Sequence, residues 1–182
     1  MSIRRSFVLT AGAAVLSLSG LVPGTAIAAP ITATTVCVSD AQAAEFKDLV
    51  TQARGIWNGA EKNVQLSNCS GGIKVIAKDK LPGGSYYTGD GHGHGTVYLD
   101  RSQIAQVYGL RLVTHEIGHG LGLGDTYDGP CSDLMSGGRN SEGAACRNAQ
   151  PSAAERAEVD QRWANGYGAP QQRDSFTAVY AG

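Results

Sequence analysis

The chain has 182 residues, about one domain's worth of sequence, and 42% of them are hydrophobic. Its 15 basic and 16 acidic residues give a formal net charge of -1. A balance this close to neutral, with no lysine-rich or arginine-rich patch, excludes a nucleic-acid-binding surface built on positive charge.

Residues 1–28 have the three parts of an export signal. Arg4 and Arg5 form a basic start, a mildly apolar run follows from Phe7 to Val22, and the segment ends in the small-residue cleavage pattern Ala-Ile-Ala. The apolar run is interrupted by Thr, Ser and Gly and is shorter than the roughly 20 residues of a membrane span. We therefore predict a cleaved signal peptide and a secreted, extracellular protein. The general secretory and twin-arginine routes both stay open.

Residues 29–34 are predicted to be a short pro-segment or the mature N-terminus. Segment 31–39 is rich in β-branched residues and predicts a first strand. A helix is expected next, because apolar residues from Ala44 to Trp57 recur on one face before a glycine. Residues 62–69 and 71–79 then predict two strands separated by a Gly-Gly turn.

Residues 82–95 contain so much glycine that no regular buried element is expected there. The following residues, 96–101, alternate and predict a strand, so this region fits an edge strand or a rim of the sheet. Two histidines within it, His92 and His94, would point to one face of a strand. A second metal site there is one interpretation, but no group of carboxylates accompanies them, and we expect polar rim residues. Leu110 to Gly120 predicts the next helix.

The last part of the domain is an irregular loop followed by a helix. Residues 125–150 are full of Gly, Ser, Asp and Asn and predict the loop. Ser152 with Glu155 is a capping box, which predicts a helix that ends at Asn165-Gly166. Residues 167–182 are polar and without pattern, and we expect a flexible C-terminal tail.

Strands and helices follow one another without an internal repeat or a linker. This order predicts one α+β, or mixed α/β, domain over residues 35–166 with a single sheet.

All four cysteines lie after the signal segment, and an exported chain meets oxidising conditions, so we expect them to be paired. Four cysteines allow three connectivities, among which the sequence does not choose. We favour Cys37 with Cys69 and Cys131 with Cys146, because each pair closes one local segment. Zinc ligation by cysteines is the rival interpretation, but no C-x-x-C spacing occurs.

The predicted helix that ends at Gly120 contains the sequence HEIGH, followed by the glycine-rich stretch GLGLGD. His115 and His119 are four residues apart, so both imidazoles project from one helix face and can bind one zinc ion. A catalytic zinc needs a third protein ligand and keeps one position for water, and Asp125 is the first strong ligand after the turn. Glu116 can reach that water as a general base for peptide hydrolysis.

A solvated helix face whose two histidines bind nothing would explain the same short pattern. The context favours zinc. Glycines stand where the helix must end, Asp125 follows the turn, and Met135 lies in a tight-turn context further on. The alternative for Met135 alone is an ordinary core methionine.

The pattern H-E-x-x-H-x-x-G-x-x-D, followed by a methionine turn, resembles that of the metzincins, with Asp where most members have a third His. The chain resembles the snapalysin family within that clan, the small secreted neutral zinc proteases of streptomycetes. The resemblance covers roughly residues 35–166. It rests on the stretches IWNGAEKNVQL, GSYYTGDGHGHGTVYLD, THEIGHGLGLGDTYDGPCSDLMSGG and ERAEVDQRWANG.

This resemblance implies a zinc metalloendopeptidase with one Zn²⁺ per chain. The implied ligands are His115, His119 and Asp125, with Glu116 as general base. Tyr127, two residues after the ligand aspartate, would help to stabilise the tetrahedral intermediate, although a rim aromatic would look the same in the sequence.

The resemblance also implies a metzincin-like single domain with a twisted, mainly parallel sheet, an antiparallel edge strand and about three helices. Met135 would pack beneath the metal, and a Cys131 to Cys146 disulfide would brace its turn. The edge strand, around Gly91 to Asp100, would pair with an extended polypeptide substrate, with an aromatic residue preferred after the scissile bond. We expect a monomer that binds neither nucleic acid nor a membrane.

Some features depart from the family. Calcium is associated with it, but segment 106–114 offers no carboxylate, so Ca²⁺ binding is left open. The pair Cys37 and Cys69 and the tail after Gly166 are further departures.

Two alternatives remain at this stage. One is a zinc protease whose third ligand is Glu155 or Glu158 on the last helix, although a capping box and a solvated face explain those residues. The other is an exported, catalytically inactive binding or inhibitory module with a vestigial motif, against which the intact Glu116 argues.

Overall fold

The computed structural model describes residues 32–166 and 176–179. The predicted signal peptide at 1–28 and residues 29–31 of the 29–34 segment lie outside the described residues. None of the helices in the described part has both the length and the apolar character needed to cross a membrane.

Among the described residues, six strands form one sheet in the order β2-β1-β3-β5-β4-β6. β1 pairs in parallel with β2 and β3, and β3 pairs in parallel with β5. β4 runs antiparallel to β5 on one side and to β6 on the other. The predicted mixed α/β fold with a mainly parallel sheet and an antiparallel edge is thereby confirmed. The strands are β1 Thr34–Gln42, β2 Val64–Ser67, β3 Ile73–Lys78, β4 Tyr86–Gly89, β5 Gly95–Asp100 and β6 Phe176–Val179.

Three long helices and one short helix accompany the sheet within the described residues. They are α1 Lys47–Ala60, α2 Arg101–Ile104, α3 Gly109–Gly120 and α4 Ala153–Arg162, with 3-10 turns at Ala44–Phe46, Leu134–Arg139 and Gly143–Ala145. The long helices are the three that the sequence predicts.

Two indole side chains hold α3 in place. Trp57 of α1 donates from Nε1 to the Thr114 carbonyl at 3.0 Å, and Trp163 after α4 donates to the Leu121 carbonyl at 3.0 Å. Both rings are buried, which adds apolar contact to each hydrogen bond. Hydrogen bonds to protein side chains therefore hold both the middle and the C-terminal end of α3.

β4 lies inside the glycine-rich segment, where no buried element was predicted, and that prediction is wrong. Tyr87 at its centre is fully buried. A Cβ at Gly89 or Gly95 would collide with the Tyr87 ring. These glycines therefore make room for a buried aromatic residue, which composition alone cannot distinguish from a loop.

The predicted position of the edge strand, Gly91 to Asp100, is also wrong. β5 is an interior strand with β3 on one side and β4 on the other. The outer neighbour of β4 is β6, at 176–179, where the sequence predicted a tail without structure. The remaining tail residues, 167–175 and 180–182, lie outside the described residues.

The C-terminal end of α1 places a carboxylate in a buried position. Glu61 is only 8% exposed, and within the described chain neither of its carboxylate oxygens accepts a hydrogen bond. Asp160 of α4 lies beside it and accepts hydrogen bonds from the backbone N–H groups of Lys62 and Asn63 at 2.8 and 3.1 Å. Burial, with the Asp160 charge adding to it, raises the pKa of Glu61 to about 8.

This shift makes folding stability depend on pH. The unfolded chain releases the Glu61 proton near 4.5, whereas the folded chain holds it to about 8, so the stabilisation is complete below 4.5 and is lost as pH rises through 8. We expect Glu61→Gln to raise the Tm at pH 9 by about 3 to 5 °C, which corresponds to a gain of ~1 kcal/mol in the free energy of unfolding for a domain of this size. At pH 4.5 we expect no gain in Tm. The exposed Glu142→Gln is the control for thermal melts at both pH values. Equal effects of Glu61→Gln at the two values would contradict the prediction.

Candidate metal centre

Helix α3 brings the two histidines of the motif together. His115 and His119 are both completely buried, and their Nε2 atoms are 3.0 Å apart. Their rings meet edge to face at a centroid distance of 4.6 Å. The four-residue spacing therefore does what the helical geometry predicts.

A glycine turn after α3 returns the chain to these histidines. Gly122 has a φ of 104°, a backbone conformation that residues other than glycine rarely adopt. The Leu123 N–H bonds back to the Gly118 carbonyl at 3.1 Å, which closes the turn. Asp125 then lies with Oδ1 at 3.2 Å from His115 Nε2 and 3.5 Å from His119 Nε2.

The hydrogen bonds of the two rings define which nitrogens are free to bind a cation. His115 Nδ1 faces the Leu134 carbonyl at 3.0 Å, and His119 Nδ1 faces the Leu123 carbonyl at 2.9 Å. Carbonyl oxygens only accept, so we assign the proton of each neutral ring to Nδ1. Burial lowers the pKa of His115 to about 4, although the nearby Asp125 acts in the opposite direction. The lowered pKa keeps this ring neutral.

Two imidazole lone pairs and one carboxylate oxygen therefore converge within 3.5 Å of one another. Such an arrangement is repulsive unless a cation lies among the donors. Two nitrogens and one oxygen suit zinc, which accepts both ligand types and keeps a further position in catalytic sites. The residues present fit a zinc ion, and His115, His119 and Asp125 form the group that could hold it.

Glu116 and Tyr127 are close in sequence to members of the donor group, Glu116 directly after His115 and Tyr127 two residues after Asp125. Glu116 is completely buried. The Tyr127 hydroxyl donates to Asp125 Oδ2 at 2.9 Å, and the residue is 40% exposed with a φ of 58°. Burial raises the pKa of the Tyr127 hydroxyl, and its hydrogen bond to Asp125 raises the pKa further.

Met135 packs beneath the helix that bears the histidines. It is 1% exposed, and a Cβ at Gly118 would lie 3.0 Å from its Sδ and 3.0 Å from Trp57 Cζ2. Gly118 therefore allows the methionine turn to approach α3 closely. The Thr126 N–H donates to the Met135 carbonyl at 2.9 Å, which ties the turn to the segment after Asp125.

Arg111, one helical turn before His115, is a residue that the sequence analysis missed. It is 1% exposed, and its guanidinium donates five hydrogen bonds into segment 131–148. The acceptors are the carbonyls of Cys131, Asp133, Gly137 and Asn148 and the Ser136 hydroxyl. The available signal was an arginine within the apolar first half of the helix, four residues before a predicted ligand.

Both disulfides of the favoured connectivity are present in the structure. Cys37 is bonded to Cys69, and Cys131 is bonded to Cys146. The first links β1 to the segment after β2. The second closes the loop that contains the methionine turn.

The rival third ligands lie elsewhere. Glu155 accepts hydrogen bonds from backbone N–H groups, and Glu158 pairs with Arg162 on the exposed face of α4 at 2.5 Å. Neither belongs to the donor group formed by the two histidines.

The other histidine pair does not form a comparable group. His92 is half-buried and stacks on Trp163 with ring centroids 4.2 Å apart. His94 is exposed, as expected of a rim residue, and its Nδ1 lies 3.1 Å from Asp90 Oδ2. In the part of the chain that the structure describes, neither histidine joins a cluster of three metal-ligating side chains.

Comparison with known proteins places these residues in a family. A family model described as the Streptomyces extracellular neutral proteinase (M7) family matches residues 33–166. The chain is 46% identical over 134 residues to the extracellular small neutral protease of Streptomyces coelicolor, covering 74% of this chain and 61% of that protein. It is 42% identical over 132 residues to the protein of the same name from Streptomyces caespitosus, covering 72% of this chain and 98% of that protein.

A third relative, the extracellular small neutral protease of Streptomyces sp. strain C5, is 42% identical over 142 residues, which are 78% of this chain and 61% of that protein. The chain thus spans about three fifths of the longer relatives. Because the matched region contains the whole donor group, the methionine turn and α4, the chain belongs to the Streptomyces extracellular neutral proteinase (M7) family.

Proposed function

We propose that this chain is a secreted zinc-dependent metalloendopeptidase that hydrolyses peptide bonds in extended polypeptides. The observation on which the proposal rests is the convergence of His115 Nε2, His119 Nε2 and Asp125 Oδ1 within 3.5 Å, with both Nδ1 atoms turned to backbone carbonyls. The names of the relatives, which describe extracellular proteases, support it.

His115, His119 and Asp125 would hold one zinc ion per chain. When bound, zinc supplies a Lewis acid that polarises the scissile carbonyl and lowers the pKa of water. The backbone acceptors of the two Nδ1–H groups fix both ring orientations in advance. Calcium is not part of the proposal.

Glu116 is the proposed general base. It takes a proton from the attacking water and passes it to the amine that leaves. Glu116 is completely buried, next to the proposed ligand His115 on α3.

Tyr127 is proposed to donate its hydroxyl proton to the oxyanion that develops on the substrate carbonyl. In the free protein this hydroxyl donates to Asp125 Oδ2, so it exchanges one anionic acceptor for another during the reaction. Tyr127 is 40% exposed, so the protein does not enclose its side chain. The preference for an aromatic residue after the scissile bond stays a prediction.

The decisive experiment compares the proposed third ligand with its rival. Asp125→Ala should reduce zinc content well below one per chain and lower the rate of casein hydrolysis by more than about 100-fold, since loss of even an outer partner of a ligand costs 10- to 100-fold. Glu158→Ala is the matched control and should keep both. Zinc content is measured by metal analysis after dialysis, and hydrolysis is measured with and without a zinc chelator. Full zinc content in Asp125→Ala, or chelator-resistant cleavage by the parent protein, would contradict the proposal.

A further inference from the structure

Glu155 has two structural roles, and only the first is visible in the sequence. At the start of α4 it completes a capping box, in which the Ser152 hydroxyl accepts from the Glu155 N–H at 3.3 Å and Glu155 Oε2 accepts from the Ser152 N–H at 2.6 Å. A capping box needs nothing more from this carboxylate, and such residues are usually exposed.

Here the same carboxylate is buried, with 6% of the residue exposed, and it accepts two more hydrogen bonds. The Leu134 N–H donates to Oε2 at 3.2 Å, and the Met135 N–H donates to Oε1 at 2.6 Å. Burying a carboxylate costs free energy unless hydrogen-bond donors satisfy it, so the buried position of Glu155 depends on these bonds. They join α4 to the methionine turn.

The Met135 N–H and the Leu134 C=O are the two ends of one peptide group. The N–H end donates to Glu155, and the C=O end accepts from His115 Nδ1 at 3.0 Å. A continuous chain of hydrogen bonds therefore runs from the Glu155 carboxylate through the 134–135 peptide group to the His115 ring. We call this the Glu155–peptide–His115 chain.

We propose that Glu155 is a positioning residue for the metal centre, which acts through the 134–135 peptide group to orient His115 and to make its Nε2 a stronger metal ligand. This inference rests on the proposed function, in which His115 is a zinc ligand. Glu155 touches neither the substrate nor the donor atoms.

The physical basis is polarisation along the hydrogen-bonded chain. An anion that accepts the N–H of a peptide group makes the carbonyl of that group a better acceptor, because hydrogen bonds in series strengthen one another in a low-dielectric interior. The better acceptor draws the Nδ1–H proton of His115 and increases electron density at Nε2. Carboxylates that bond directly to metal-bound histidines act in the same way, and their loss costs 10- to 100-fold in metal affinity.

Zinc affinity is the first test, with Glu155→Gln compared with Ser152→Ala. Glutamine keeps the size of the side chain but removes the charge and cannot accept all three N–H bonds, so we expect a loss of zinc affinity of about tenfold or more. Ser152→Ala weakens only the cap of α4 and should leave zinc affinity unchanged. Affinity is measured by competition with a chromophoric chelator at pH 8.5, because burial and the nearby Asp133 raise the pKa of Glu155 to about 7. Affinity of Glu155→Gln within twofold of the parent would overturn the proposal.

Two further measurements keep the test decisive. If Glu155→Gln does not fold, Glu155→Asp keeps the charge but withdraws it by one methylene, and it should show a smaller loss of zinc affinity; unchanged affinity would overturn the proposal. In the metal-free protein, NMR of the His115 Nδ1–H proton should show an upfield shift in the Glu155 variant and none in Ser152→Ala. An unchanged chemical shift of this proton in the Glu155 variant would also overturn the proposal. This readout needs no zinc, so a parent protein that failed to bind zinc would refute the proposed function and leave the hydrogen-bonded chain separately tested.

Discussion

Replacing Glu116 with glutamine is expected to lower kcat for casein or peptide hydrolysis by about 10²- to 10⁴-fold, the usual contribution of a general base. This corresponds to about 3 to 5 kcal/mol of transition-state stabilisation. The reason is that the amide has nearly the shape of the carboxylate but cannot take a proton from water. Since Glu116 is not among the three converging donor atoms, zinc content should stay at one per chain. Initial rates over a range of substrate concentrations, with zinc analysis of the same sample, measure both quantities.

The exposed Glu142→Gln provides the matched control, because it makes the same chemical change away from the donor group. It should hydrolyse substrate at the rate of the parent. The KM of Glu116→Gln should change little, since the base acts on water rather than on the bound peptide. Activity near that of the parent in folded, zinc-loaded Glu116→Gln would remove Glu116 from the mechanism.

The second large effect concerns stability and follows from the buried guanidinium of Arg111. Arg111→Met should lower the free energy of unfolding by about 3 to 5 kcal/mol, because it leaves several buried acceptors in segment 131–148 without donors, each costing about 1 to 3 kcal/mol before relaxation. Arg111→Lys should recover only part of this loss, because one ammonium cannot reach acceptors on both sides of a planar fork. Urea unfolding of the disulfide-intact protein measures the change.

Arg156→Met is the control for loss of an arginine, since Arg156 is exposed on α4. It should change the free energy of unfolding by less than about 0.5 kcal/mol. If Arg111→Met cost less than about 1 kcal/mol, the loop would not depend on its hydrogen bonds to α3. Because this loop also supplies the Leu134 carbonyl to His115, we expect the Arg111 variants to bind zinc more weakly as well.

The sequence predicted the donor group well because its members are close in the chain and follow local rules. His115 and His119 share a helix face through their spacing, and the glycines that end α3 bring Asp125 back within three residues of the turn. The capping box at Ser152 and Glu155 is similarly local and is present as predicted.

The features that were missed depend on contacts between distant segments. β4 was hidden because glycine composition resembles that of a loop, whereas here it makes space for Tyr87. The hydrogen bonds of Arg111 and the second role of Glu155 join residues about 20 positions or more apart. No periodicity or local motif encodes such pairs, so they emerge only when the chain is folded.

The strand at Phe176–Val179 pairs with the outer edge of β4, so any peptide that binds at this edge must compete with β6. A peptide that extended the sheet at this edge would need the backbone N–H and C=O groups that β6 already uses, so the two exclude each other. Because β6 belongs to the same chain, its effective concentration at this edge is constant and does not depend on the concentration of peptide. Apparent affinity for any peptide at that edge is therefore the intrinsic affinity reduced by the fraction of molecules in which β6 has released it.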